Sequence, residues 1–233
     1  MKKRSDFLNG MVSGIPIGLG YLSVSFGFGI MAVGAGLSIF EAFIISLTNL
    51  TSAGQAQGVA VIAAGGTLIE MAIVQLVINI RYSLMALSLS QRLDKKFTPI
   101  HRILASYGIT DEIFALCSTR EELLTPAYMY GVIFVSAFGW TLGTLLGAIA
   151  GELLPAAVSS ALGIVLYGMF IAIIIPPSRK DKAILFVILA AAALSCVIYY
   201  LMPFISGGFA VIICALVISA AAALIFPRKE EQE

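Results

Sequence analysis

Residues 126–151 read PAYMYGVIFVSAFGWTLGTLLGAIAG, without a single Asp, Glu, Lys or Arg. A helix needs about 20 mostly apolar residues to cross a hydrocarbon core roughly 30 Å thick, so this stretch predicts a membrane span. Thr125-Pro126 at its head supplies an N-cap followed by proline at the first helical position. Gly139, Gly143, Gly147 and Gly151 recur at every fourth residue. They line one helix face with hydrogen in place of side chain, which lets another backbone approach closely. Gly10, Gly14 and Gly18 do the same near the start of the chain. Such stripes serve either helix packing or a sliding surface for conformational change, and spacing alone does not separate the two.

Working outward, apolar segments fall at 10–36, 38–64, 67–90, 126–151, 157–175, 183–202 and 204–226, with one long polar stretch at 91–125. The 233 residues are 60% hydrophobic and 12% charged, against roughly 25% charged in an average soluble domain. The fold class expected is all-α: a polytopic transmembrane bundle of about seven segments, with broken helices, forming a single transporter domain over 1–233. Ser38-Ile39-Phe40-Glu41 and Thr67-Leu68-Ile69-Glu70 both fit the capping box that opens a helix. Val24-Ser25-Phe26-Gly27 and Val135-Ser136-Ala137-Phe138-Gly139 each sit in a glycine-spaced helix followed by two further apolar segments. They suggest a repeat at 10–90 and 126–202 with an extra span at 204–226, and three-helix repeats in tandem come out inverted.

Charge sets orientation. Arg92, Lys95, Lys96, Arg102 and Arg120 in 91–125, and Arg179, Lys180 and Lys182 in 176–182, mark both stretches as cytoplasmic by the excess of Lys and Arg on that side. Two spans then return the C-terminus, with Arg228 and Lys229, to the cytoplasm. The run at 10–36 is too long for a signal-peptide core and reads as a retained first span. Three full spans before residue 91 would place Lys2, Lys3 and Arg4 outside. Either the charge rule is broken once, or the second segment is re-entrant and does not cross.

A net charge of +1 without a basic stripe excludes a nucleic-acid partner. Cys117, Cys196 and Cys214 lie in apolar sequence and His101 is the single histidine, so no ligand spacing calls for a metal or cofactor.

The chemistry concentrates in three places. Thr48-Asn49-Leu50-Thr51-Ser52-Ala53-Gly54-Gln55-Ala56-Gln57-Gly58 puts hydroxyls, amides and two glycines at bilayer depth. Unwound backbone is tolerated there only inside protein or beside a water-filled cavity. A break at Gly54 would expose half-helix amides suited to a carboxylate, with Ser52, Gln55 and Gln57 beside it and Pro16 as a second interruption in the preceding segment; the alternative is polar glue between helices. Gln75, Asn79 and Arg81 follow in the third segment. Arg81 lies about 21 Å along a helix begun at Thr67, where arginine costs roughly 2.5–3.5 kcal/mol to insert. It either faces a partner or cavity, or snorkels to the interface. Glu41 and Glu70 are explained as capping glutamates. Thr110-Asp111-Glu112 sets two carboxylates against an apolar run; they can cap a half-helix, bind an ammonium group, pair with Arg81 or carry a coupling proton.

Taken in order, Gly14-x-Pro16-x-Gly18, Ala53-Gly54-x-Ala56-Gln57, Asn79-x-Arg81-x-x-Leu84 and Thr110-Asp111-Glu112 resemble the AzlC family of bacterial branched-chain amino acid exporters, the azaleucine-resistance permeases, over essentially the whole chain. Gln55, Gly58 and Tyr82 depart from residues frequent in that family. The resemblance implies an inner-membrane permease exporting leucine, isoleucine, valine or related hydrophobic amino acids, driven by the proton gradient. It also implies a small hydrophobic AzlD-type partner subunit. An ion channel, or a permease for another solute, would keep the broken helix and need no coupled carboxylate. A membrane enzyme is disfavoured: no HExxH, GxSxG or phosphate-cradling loop is present and no histidine lies within an apolar span.

Overall fold

The computed structural model describes residues 5–155, 168, 171, 174–176, 178, 179 and 181–226. Among them the chain forms helices α1 (Asp6–Gly34), α2 (Ile39–Thr48), α3 (Ala53–Ala63), α4 (Leu68–Ser90), α5 (Pro99–Ser106), α6 (Asp111–Ser118), α7 (Pro126–Leu153), α8 (Lys182–Leu201) and α9 (Gly207–Ile225). Five of these, α1, α4, α7, α8 and α9, are long and apolar enough to cross a membrane. Of the segment expected at 157–175, residues 168, 171, 174 and 175 are described and the rest lie outside, as do Met1–Arg4, Lys180 and the tail from Pro227. The chain divides into two compact units, 1–56 with 78–166, and 57–77 with 167–233.

In the first unit the glycine stripes are packing surfaces. Gly14 faces Val132 and Gly18 faces Val135, while Gly139 lies against Gly18 and Gly147 against Phe26. A Cβ on Gly139 would overlap the Gly18 carbonyl oxygen, and one on Gly147 that of Phe26, so the two backbones touch. Contacts advance together along both sequences, so α1 and α7 run parallel. The inverted three-helix repeat expected from 10–90 and 126–202 requires these helices to run in opposite directions, and they do not.

The reason lies in the second apolar segment. Helix α2 opens with a complete capping box, Ser38 N–H donating to Glu41 Oε2 at 2.7 Å and Glu41 N–H to Ser38 Oγ at 3.2 Å. Its ten residues reach only about 15 Å, half of a bilayer core. The break then comes at Asn49–Ser52, upstream of the Gly54 position expected from sequence. Asn49 Oδ1 accepts from Thr51 N–H at 3.0 Å and Thr51 Oγ1 at 2.7 Å, a local turn that replaces helical bonding. Ser52 has φ 37°, a left-handed conformation that a non-glycine residue holds only under constraint. Gln55 comes back to bond Ser46, which ties the start of α3 to α2 in a hairpin turn over 49–52. Pro16, by contrast, does not interrupt α1, which is helical on both sides of it; membrane helices re-satisfy the one freed carbonyl.

Topology follows. Thr125 Oγ1 donates to Asp6 Oδ2 at 3.0 Å, and Leu93 pairs with Leu124 as an isolated bridge, so Asp6, Leu93 and Thr125 share one face. An even number of crossings must separate Asp6 from Leu93. Helices α1 and α4 are each long and apolar enough to supply one.

The 91–125 stretch is also more than a polar loop. Its basic ends are clamped by the Leu93–Leu124 bridge and by Arg92, whose guanidinium donates to the carbonyls of Ser118 and Arg120. Between them α5 and α6 form a second hairpin. Its tip packs Gly108 on Ile133 and brings Thr110 to Tyr21, near the midpoint of α1.

In the second unit α8 and α9 are joined by the short link 202–206. Thr67 Oγ1 accepts from Glu70 N–H at 3.1 Å, half of the expected capping box. The Glu70 carboxylate instead accepts from Ser206, the N-cap of α9, and is 5% exposed.

Candidate functional site

The tips of both hairpins converge on Tyr21. Leu50, at the α2–α3 tip, packs with Tyr21 and Trp140 in one apolar cluster. From the other hairpin, Thr110 Oγ1 and Glu112 Oε2 each lie 2.5 Å from the Tyr21 hydroxyl. Tyr107 ties the two tips directly, its hydroxyl donating to the Leu47 carbonyl at 2.6 Å; this carbonyl belongs to the last turn of α2, where helical acceptors lack their usual partners.

Around Tyr21 the polar groups form a buried chain. Trp140, near the midpoint of α7, stands edge-on to the Tyr21 ring at 5.2 Å and 78°. Its Nε1 donates to Gln55 Oε1 at 2.8 Å, Gln55 Nε2 donates to Ser46 Oγ at 2.9 Å, and Ser46 Oγ lies 2.7 Å from Thr144 Oγ1. Gln55 and Trp140 are each 1% exposed. Polar side chains at such depth must find partners, because burying an amide or indole N–H unpaired costs a few kcal/mol.

Beside this chain Arg81 and Asp111 form an ion pair at 2.9 Å, both side chains about half exposed, 46% and 44%. Arg81 also donates to the Tyr82 hydroxyl at 3.2 Å. Asp111 and Glu112 occupy the first turn of α6, N-capped by Thr110, where helix-terminal amides favour negative charge. Capping and pairing with Arg81 therefore coexist. The carboxylates point to different neighbours, Asp111 to Arg81 and Glu112 to Tyr21.

The sequence-nominated residues are distributed as follows. Gln55, Arg81, Asp111 and Glu112 are brought into this region. Gly54 is buried at the start of α3, with its N–H donating to Thr51 O at 3.1 Å, so that amide already has an acceptor. Ser52 is half-buried at the hairpin tip, and Asn79 is half-buried two residues before Arg81. Pro16 is exposed on the flank of α1, and Gln57 belongs to the second unit. Sequence reasoning missed Tyr21, Ser46, Trp140 and Thr144. The available signal was a hydroxyl or indole N–H at the centre of an apolar span, which requires a partner.

The arrangement gathers opposite charges beside a buried polar chain. Arg81 offers a cation, Glu112 and Asp111 offer anions, and the surrounding helices are apolar. No group of three or more His, Cys, Asp or Glu that could hold a metal ion occurs among the described residues.

The AzlC protein family matches residues 16–154, a range that contains Tyr21, both hairpins, Arg81, Trp140 and Thr144. The chain is 28% identical over 187 residues to inner membrane protein YgaZ of Escherichia coli, covering 77% of this chain and 76% of that one. It is 29% identical over 178 residues to an uncharacterized membrane protein of Archaeoglobus fulgidus, covering 76% and 78%. An uncharacterized membrane protein of Helicobacter pylori is 28% identical over 141 residues, 59% of this chain and 61% of that one. No solved structure matches. The chain is a multi-span membrane protein and belongs to the AzlC family.

Proposed function

We propose that the protein is a permease of the cell inner (plasma) membrane that exports branched-chain or related hydrophobic amino acids in exchange for protons. The observation that carries this reading is the meeting of two half-membrane hairpins at Tyr21, with the Arg81–Asp111 pair and Glu112 beside them. Broken helices meeting at mid-depth are where transporters build substrate sites, since they bring polar groups to a depth that lipid cannot solvate. In this reading Arg81 takes the substrate carboxylate, Glu112 or Asp111 takes the ammonium group or the coupling proton, and apolar walls take the side chain. The Gln55 hairpin forms the far side of the path.

The same reading adds a membrane segment at 157–175 to those described and gives the chain a cytoplasmic C-terminus. It pairs the chain with a small hydrophobic AzlD-type subunit and assigns it no catalytic step. The test is efflux of labelled leucine, methionine and glycine from cells carrying the chain with and without that subunit. Faster efflux of leucine and methionine, abolished by collapsing the proton gradient, supports the proposal. Passive, gradient-independent flux of all three would indicate a channel and overturn it.

A further inference from the structure

We propose that Tyr21 is the positioning residue that couples the charge state of Glu112 to the α2–α3 hairpin, through Trp140 and Gln55. The proposal deepens the permease reading and rests on it for its transport consequence. The contact chain itself stands on geometry alone.

Four observations carry it. Tyr21 is 7% exposed, and its single hydroxyl proton faces two acceptors, Thr110 Oγ1 and Glu112 Oε2. A charged carboxylate is the stronger acceptor, because hydrogen bonds to ionised groups are roughly twice as strong as neutral ones. Second, the ring that carries this hydroxyl lies edge-on against Trp140, so a movement of the ring, as distinct from rotation of the hydroxyl proton, is felt at the indole. Third, the indole N–H is bonded to Gln55, which is bonded in turn to Ser46 across the hairpin break. Fourth, Glu112 is exposed while Tyr21, Trp140 and Gln55 are buried. The carboxylate thus lies outside the packed groups that hold the hairpin.

Glu112 is also distinct from its neighbour. Arg81 is engaged by Asp111 and by the Tyr82 hydroxyl. Among the described residues the hydrogen bond to the Glu112 carboxylate comes from Tyr21. The titratable and charged groups facing Glu112 are therefore Tyr21 on α1, Asp111 on its own helix, and Arg81 and Tyr82 on α4. On the opposite side of α6, Ile113 and Cys117 pack into an apolar cluster with Tyr128 and Met129 of α7. His101 of α5 is turned to Tyr130 at 2.7 Å. Neutralising Glu112 replaces a charge-assisted bond with a neutral one and frees Tyr21 toward Thr110.

Trp140 is the chain's single tryptophan, so its emission reports this contact without a label. The purified full chain in lipid nanodiscs would be titrated from about pH 8 to about pH 4, which brackets ordinary carboxylate titration. We expect a sigmoidal change in Trp140 emission, lost in Glu112→Gln and in Tyr21→Phe, and kept in the control His101→Gln. Phenylalanine preserves the ring contact, so loss in Tyr21→Phe reports the hydroxyl and not the packing. A wild-type emission that ignores pH, or a Tyr21→Phe response equal to wild type, would overturn the proposal. In proteoliposomes, Tyr21→Phe should lose the pH-gradient dependence of leucine counterflow to a greater extent than the counterflow itself. Proportionate loss of both would mean a structural role only. If wild type carries no leucine while the emission series holds, the permease reading fails and the Tyr21 linkage stands.

Discussion

The indole N–H of Trp140 donates a 2.8 Å hydrogen bond to the side-chain carbonyl of Gln55, joining the middle of a crossing helix to the α2–α3 hairpin. Both residues are almost fully buried, and the amide's other end is bonded to Ser46. Gln55→Leu fills similar space but leaves the Trp140 N–H without an acceptor and Ser46 without one of its partners. Intramembrane hydrogen bonds contribute about 0.6–2 kcal/mol each, so the variant should unfold earlier in a detergent thermal-shift assay. Trp140→Phe and the double variant complete a cycle, and the two effects should fall short of additive. Strict additivity would show that the bond does not couple the hairpin to α7.

The α1–α7 seam predicts a sharp contrast between two glycines of the same class of helix. Any side chain at Gly139 meets the backbone of Gly18, whereas a Cβ on Gly20 meets nothing within 4 Å. Gly20→Ala should therefore express and fold like the parent. Gly139→Val must push the helices apart, and overpacking of this kind costs about 1–3 kcal/mol or more. Yield and monodispersity on size-exclusion chromatography would register the difference; equal behaviour of the two variants would contradict the seam.

The shared face of Asp6, Leu93 and Thr125 makes a topological prediction. In a chain with its native cysteines replaced, single cysteines at Ser5 and at Lys96 should both resist a membrane-impermeant reagent applied outside intact cells. A cysteine at Gly36, in the turn after α1, should react. Labelling of Ser5 without Lys96 would mean that the second apolar segment crosses after all.

How much of this was legible depended on whether the signal was local. Run length and charge scarcity marked the long helices, and the glycine stripes marked a packing seam, because both properties reside in a few consecutive turns. The Ser38–Glu41 capping box was readable for the same reason. Thr67–Glu70 misled by half, since Glu70 prefers Ser206, a residue far along the chain. The break moved from Gly54 to Asn49–Ser52 because an asparagine side chain captured the local N–H and hydroxyl. Pro16 was over-read as an interruption. The α5–α6 hairpin looked like a cytoplasmic loop because its helices are short and carry charge, and only the contact of Thr110 with Tyr21 reveals its depth. Tyr21 and Trp140 escaped notice because an aromatic residue in an apolar run resembles ordinary core.

Arg81 offers the cleanest separation of function from stability. Its pair with Asp111 is geometrically good at 2.9 Å, with both side chains about half exposed. Leucine inserts into a span far more readily than arginine, so Arg81→Leu should insert, fold and purify well enough for transport to be measured. Transport should be abolished, because the cation that the permease reading assigns to the substrate carboxylate is gone. Asp111→Asn keeps the shape and a hydrogen-bonding group for Arg81, so it should retain more activity than Arg81→Leu. In the exchange variant Arg81→Asp with Asp111→Arg the attraction is restored with its polarity reversed. If the pair matters only as a strut between α4 and α6, the exchange should recover transport. If Arg81 contacts the solute, the exchange should recover thermal stability and leave transport dead. The second outcome is expected, and measuring both quantities on the same preparation decides it. Normal transport by Arg81→Leu would remove Arg81 from the site and leave Glu112, Tyr21 and the Gln55 hairpin as its remaining polar elements.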